Sequence, residues 1–231
     1  MHRHIPKFLE NNSLFRFLFL IKKTFFTKKV RRYYSQFGED MALECFVGNI
    51  RNGTFVDVGC FHPSKYNNTY RLYTKGWSGI NIDMDQIKIS AFNLARKRDK
   101  NIVMAITDDP TVSSIKMYSF GFYSLVNTLD QKTAEKMGGY IEKTVPASTL
   151  TNLLAKHNVN KIDLLSVDAE GYDVNVLKSL DFDSVDVGVI LVEQHTKYLA
   201  DIFNTEVYQF LNKKSFELVN WTGPTLIFQR K

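Results

Sequence analysis

Apolar runs and polar breaks alternate along most of this chain. Residues 55–58 (FVDV), 77–83 (WSGINID), 101–106 (NIVMAI), the start of KIDLLSVDAEGYD at 161–173, and 187–195 (VGVILVEQH) read as strands. Several are nearly continuous in apolar residues, as in strands covered on both faces. Between them lie stretches of helical period. One begins at Ser35 or Gly38, with Met41, Leu43, Phe46 and Val47 on its apolar face. Others cover residues 69–75, 86–98 (Ile87, Phe92 and Leu94 inward), 149–157 behind a Ser148 or Thr149 cap, 172–180, and about 197–212. FELVNWTG and TLIFQR form a final strand pair around Gly223–Pro224. Strand–helix alternation of this kind predicts an α/β fold with a doubly wound, mostly parallel, seven-stranded sheet and a final antiparallel strand.

Two segments break the rhythm. Residues 107–146 hold short β-like pieces at 115–119 and 122–129 and a Gly138–Gly139 pair, and read as an insertion above the sheet edge, suited to a substrate lid. Residues 1–33 read as a helical arm ahead of a body at 34–231. In the arm, Phe15, Leu18, Phe19, Phe25 and Phe26 recur near helical spacing among Lys22, Lys23, Lys28, Lys29, Arg31 and Arg32. Its apolar run at 14–21 contains Arg16 and is far short of the ~20 residues that span a bilayer. No small-residue cleavage site follows it, so it does not read as a signal peptide. It suits either a helix in an anionic membrane interface or one packed on protein.

Charge sharpens that division. The net charge is +6 over 231 residues, yet the first 34 carry nine Lys or Arg and one Glu. Beyond them stand 21 basic and 23 acidic side chains, of 30 and 24 in all. The body is nearly neutral, which argues against nucleic acid as a partner. Cys45 and Cys60 give neither a disulfide framework nor metal-ligand spacing. A reducing, cytoplasmic setting follows, with the inner face of the membrane as the place for a bound arm.

The candidate chemistry sits at strand ends. Gly59 ends the first strand, where an absent side chain lets a ligand approach the backbone. Asp57 precedes it by two residues, placed to orient a cation or fix the loop. Asp83 ends the next strand 24 residues after Gly59, the spacing at which nucleoside-binding α/β folds set a carboxylate on ribose hydroxyls. Asp168, Glu170, Glu193 and His195 lie at the ends of two later strands. The first loop lacks a phosphate cradle and departs from GxGxxG, since Cys60, Phe61 and His62 follow Gly59. ATP, GTP and NAD are therefore disfavoured, and a ribose-bearing cofactor without phosphate, such as S-adenosylmethionine (SAM), fits better. Gln36 and Asp108 are further cofactor candidates, and His62, Asn68 and Glu193 acceptor candidates.

These residues carry a resemblance. YSQFGED at 34–40, FVDVGCFHP at 55–63, NNTYRLYTKGWSGINID at 67–83, IDLLSVDAEGYD at 162–173 and ILVEQH at 190–195 stand in the order seen in the FkbM-type family. The chain thus resembles these class I, Rossmann-like, SAM-dependent methyltransferases. The resemblance implies methyl transfer from SAM, most often to a hydroxyl, frequently on a sugar or polyketide. It implies that Asp57 and Gly59 belong to the first SAM motif, Asp83 to the ribose site, and the DAEG block to an acidic motif after the fourth strand.

For a hydroxyl acceptor, His195 is the first candidate base, because an imidazole titrates near neutrality. Asp168 is the second, with Glu170 beside it. Asp168, Glu170, Glu193 and His195 are also a candidate oxygen-rich site for Mg²⁺ or Mn²⁺. The rival readings are a non-catalytic methyltransferase-like scaffold at the membrane in glycan assembly, and an NAD-dependent sugar-modifying enzyme. Expected partners are a small-molecule or glycan acceptor, the membrane through the arm, and a second copy of the chain.

Overall fold

The computed structural model describes residues 12–26, 32–121, 124 and 127–231. The arm cations Lys28, Lys29 and Arg31, and half of the β-like piece at 122–129, lie outside the described residues. The chain divides into two units, Met1–Arg32 and Tyr33–Lys231. The first contains α1 (Ser13–Phe25), whose Asn12 side chain accepts from the Phe15 amide as an N-cap.

The second unit is built on a seven-stranded sheet in the order β3-β2-β1-β7-β8-β10-β9. Its strands are β1 (Thr54–Val58), β2 (Ser78–Asp83), β3 (Lys100–Val103), β7 (Lys161–Val167), β8 (Asp186–Glu193), β9 (Phe216–Thr222) and β10 (Thr225–Arg230). β3, β2, β1, β7 and β8 run parallel, and β10 is antiparallel to both β8 and β9. The mixed sheet expected from the apolar pattern is present. From β1 the order runs outward through β2 and β3 on one side and from β7 through β8 on the other. That reversal is where open α/β sheets bind ligands, at the strands' carboxyl ends.

Both faces are covered. Val56, Val58, Leu165, Val167, Ile190 and Phe228 pack on one side against α6 (Leu150–Lys156), α7 (Asp173–Lys178) and α9 (Glu206–Lys213). Phe55, Leu164, Val189 and Ile227 pack on the other against α2 (Glu39–Val47), Leu72 of α3 (Tyr70–Thr74), and Trp77. Alternate residues of one strand thus serve opposite cores, which explains the continuous apolar runs.

Four elements differ from the pattern's expectation. The run NIVMAI divides: β3 pairs with β2, and β4 (Ala105–Ile106) leaves to pair with Ala147 and Ser148. The 107–146 segment keeps the expected β piece at 115–119 and has more regular structure than the pattern shows. It carries β5 (Ser114–Ser119), α5 (Gln131–Met137) and β6 (Ile141–Ser148), and its strands form a three-stranded sheet, β4-β6-β5. The helix expected at 197–212 is two, α8 (Leu199–Ile202) and α9, because the Thr205 hydroxyl accepts from the Tyr208 amide and caps a new start. In α4 (Gln86–Ala95), Leu94 is 80% exposed, and the buried residues are Lys88, Ile89 and Phe92.

Candidate functional site

A cavity of about 450 Å³ opens at the reversal point between β1 and β7. Gly59 turns with φ +79°, and a Cβ there would lie 1.7 Å from the Asp168 carbonyl oxygen. Only glycine admits this approach of two strand ends. The Asp168 amide donates to the Val58 carbonyl, and the Gly59 amide to the Ile82 carbonyl, so the ends of β1, β2 and β7 are tied into one ledge.

At one end of the cavity is Asp83. Its carboxylate accepts from the Asp85 amide at 2.8 Å and the Phe61 amide at 3.3 Å. Burial pushes its pKa up, and the Lys88 ammonium, 3.8 Å away, pulls it back. Lys88 also stands over the Phe61 ring at 5.2 Å. Met84, Met104, Ala105 and Ile106 give this end apolar walls, with Asn127 among them. The Asn127 amide donates to Asp85 at 2.9 Å, which couples the inserted segment to the turn after β2.

At the other end are Asp168 and Glu170. Burial, followed by the charge of Glu193, pushes the Asp168 pKa up to about 8, and a hydrogen bond to Glu193 acts in the same direction. Asp168 therefore carries a proton at neutral pH. Burial and Glu193 also raise the Glu170 pKa. Asp173 accepts from the Ala169 and Gly171 amides at 2.9 and 3.2 Å and so fixes the DAEG turn.

The backbone is strained here. Phe61, Tyr66 and Glu170 line the cavity and have φ of +48°, +49° and +50°, a region costly for side chains of this size. Such outliers gather where the surrounding structure holds a ligand site in shape.

The model of the FkbM methyltransferase domain matches residues 57–218, well over half of the chain. The chain belongs to the FkbM methyltransferase family. A search of curated proteins returns no match. Among solved structures, the chain is similar to a TehB-like SAM-dependent methyltransferase from Corynebacterium glutamicum. That pair is 14% identical over 98% of this chain and 100% of the other, with a TM-score of 0.44. It is also similar to the precorrin 8w decarboxylase of Methanobacterium thermoautotrophicum, at 14% identity over 82% and 86%, with a TM-score of 0.44.

Membership implies SAM as the methyl donor. The cavity has the chemistry for it. Asp83 is an acceptor-only group once ionised, suited to two ribose hydroxyls. The apolar walls beside it suit a purine, and the acids at the far end suit a cationic aminoacyl group.

Of the residues singled out in the sequence, Gln36, Gly59, Asp83, Asp168 and Glu170 line this cavity. The others lie elsewhere. Asp57 is buried on the face away from it, where it accepts from Thr69 Oγ1 at 2.9 Å and Asn67 Nδ2 at 3.2 Å and so fixes the loop. Burial raises its pKa, against those hydrogen bonds and the charge of Arg96. His62 Nδ1 accepts from the Ser64 and Lys65 amides, at 3.1 and 3.0 Å, and shapes its own turn. Asn68 Nδ2 lies 3.5 Å from Ser166 Oγ, and exposed Asp108 accepts from Asn175 Nδ2 at 3.1 Å. Glu193 stands behind Asp168.

His195 does not line the cavity. Strand β8 ends at Glu193, the Gln194 amide donates to the Pro224 carbonyl, and His195 is carried into solvent with its side chain 80% exposed. Its Nε2 lies 3.3 Å from Glu193 Oε1, on the outer side of the cluster. The metal expectation also fails on geometry. Among the described residues, no three or more His, Cys, Asp or Glu side chains are placed to hold an ion.

Phe61, from the loop after Gly59, lines the site, as do Lys88, Tyr66, Asn127 and Tyr172, which were not foreseen. A signal for Lys88 existed: Lys88, Phe92 and Arg96 are spaced four apart, one buried stripe of α4 and its end.

Proposed function

We propose that this protein transfers the methyl group of SAM to a hydroxyl, with a sugar or glycan as the acceptor. The observation that carries this reading is Asp168: a buried carboxyl in the cavity wall, backed by Glu193, with a pKa pushed up to about 8. A hydroxyl is a poor nucleophile until its proton has somewhere to go. A carboxylate whose pKa lies near the working pH is an effective acceptor for it.

When bound, SAM supplies a methyl group on an electrophilic sulfonium. The chain's residues do the rest. Asp83, whose pKa Lys88 pulls down against burial, would accept from the ribose hydroxyls. Gly59 and its neighbours set the backbone against the cofactor. A cationic donor group held beside Asp168 and Glu170 would favour their ionised forms, and Asp168 would then lose its proton to solvent. The Asp168 carboxylate then orients the acceptor hydroxyl and takes its proton as the oxygen attacks the methyl carbon. Before that loss to solvent, the protonated Asp168 carboxyl donates to Glu193, which sets its orientation in the cavity wall. In this account the base is Asp168 rather than His195, and no divalent cation takes part.

The test is mass spectrometry of candidate glycans incubated with the protein and SAM. Wild type is expected to add a methyl group to one glycan hydroxyl, undiminished by a chelator. Asp168→Asn should lose at least about a hundredfold in kcat while still binding SAM, and His195→Ala should keep its rate. Methylation at nitrogen or carbon would replace the hydroxyl reading. Absence of SAM binding would leave the scaffold reading in its place.

A further inference from the structure

Helix α1 is an amphipathic segment with its own logic, separate from methyl transfer. Leu14, Leu18, Ile21 and Phe25 follow i, i+4, i+7, i+11 spacing and make one apolar stripe, widened by Phe15 and Phe17. Arg16 and Lys23 lie on the opposite side, flanked by Phe19 and Leu20, and Lys22 borders the stripe beside Leu18. Phe15 stacks on Phe19 at 6.1 Å, and the Lys23 ammonium stands over the Phe19 ring at 5.7 Å. The helix buries none of its residues. At 13 residues it is about 20 Å long, which suits lying along a surface and not crossing a bilayer. Among the described residues, no helix is long and apolar enough to cross a membrane.

Charge decides what covers the stripe. From residue 11 to residue 38 the chain holds seven Lys or Arg and no Asp or Glu. A second copy of this arm would set like charge against like. Nucleic acid would meet the cations and leave the leucines and phenylalanines in water. A bilayer with anionic headgroups satisfies both faces, with the apolar stripe at the acyl boundary and the cations among the phosphates.

We propose that α1 is a membrane-surface anchor that lies in the interface of an anionic lipid leaflet. The test is flotation of the full-length protein with two kinds of vesicle, pure phosphatidylcholine and phosphatidylcholine containing roughly one third phosphatidylglycerol. Wild type is expected to float with the anionic vesicles, and at least about tenfold less with the neutral ones or in high salt. Leu18→Asp with Phe25→Asp should abolish flotation. Lys22→Glu with Lys23→Glu should weaken it by at least about fivefold for each lysine replaced. Both variants should melt at the wild-type temperature and bind SAM as wild type does, which separates lost anchoring from lost folding. No flotation of the wild type, flotation indifferent to lipid charge and salt, or a wild-type dimer dispersed by the Leu18 and Phe25 changes would each overturn the proposal. SAM binding can fail without touching this result, and this result can fail without touching SAM binding.

Discussion

Asp168 illustrates how one side chain trades stability for chemistry. In the folded protein it holds its proton up to about pH 8, against an ordinary carboxylate value of 3.8. Between those values the folded chain binds more protons than the unfolded chain, so stability falls as pH rises through that window. Asn keeps the shape, donates to Glu193, and has no charge to acquire. Asp168→Asn should therefore be more stable than wild type at pH 8 to 9 and about equal to it near pH 4. A gain of ~1–3 kcal/mol would raise the melting temperature by about 2–4 °C per kcal/mol. Thermal melts across pH check this, and a variant less stable than wild type at pH 9 would refute it. Lys88 is the opposite case, a buried ammonium whose charge pulls the Asp83 pKa down against burial. With Lys88→Met, burial of Asp83 is opposed only by the Asp85 and Phe61 amides, so its pKa rises further. SAM affinity should then drop about five- to tenfold at pH 6 and less at pH 8.5, with Lys88→Arg restoring it. An affinity loss independent of pH would show that Lys88 acts by packing instead. Asp83 and Gly59 were legible because one sits at a strand end and the other at a turn, a fixed spacing apart. Asp57 misled because it stands one pleat earlier: with Phe55 it faces the α2–α3 side, not the strand end.

At the scale of elements, the loop after β1 is held from behind. Arg96 is fully buried at the end of α4. It donates to Asp99 at 2.8 Å, the Pro63 carbonyl at 3.1 Å and Thr69 Oγ1 at 3.1 Å, and stacks over Tyr73 at 4.4 Å. Thr69 in turn holds Asp57. Replacing Arg96 by Met leaves buried carboxylates without their cation and should cost about 3–5 kcal/mol, measured by urea unfolding. A loss under ~1 kcal/mol would mean that the network is incidental. None of this polar core could be read in order along the chain, since Asp57, Thr69, Arg96 and Asp99 come from separate elements. The strands were readable because sheet faces buried on both sides demand uninterrupted apolar residues. In the inserted sheet the piece at 115–119 was legible but β6 was not, because it alternates exposed and buried positions weakly, with one buried residue among its first five.

For the whole molecule, the parallel sheet brings β1, β2 and β7 to one edge, and the inserted segment adds Asn127 and Leu129 to the wall. The sequence displayed the acids but not which of them converge. Asp168 and Glu170 turn into the cavity, whereas β8 stops two residues short of His195 and releases it outward. The central claim is that this edge holds SAM. Calorimetric titration of SAM into the full-length protein tests it most directly, with Asp83→Ala as the comparison. The account predicts one SAM bound per chain by wild type and an affinity lowered at least about tenfold in Asp83→Ala, as expected for loss of a buried charged hydrogen-bond acceptor. Wild type that binds no SAM, or Asp83→Ala that binds it as tightly, would contradict it.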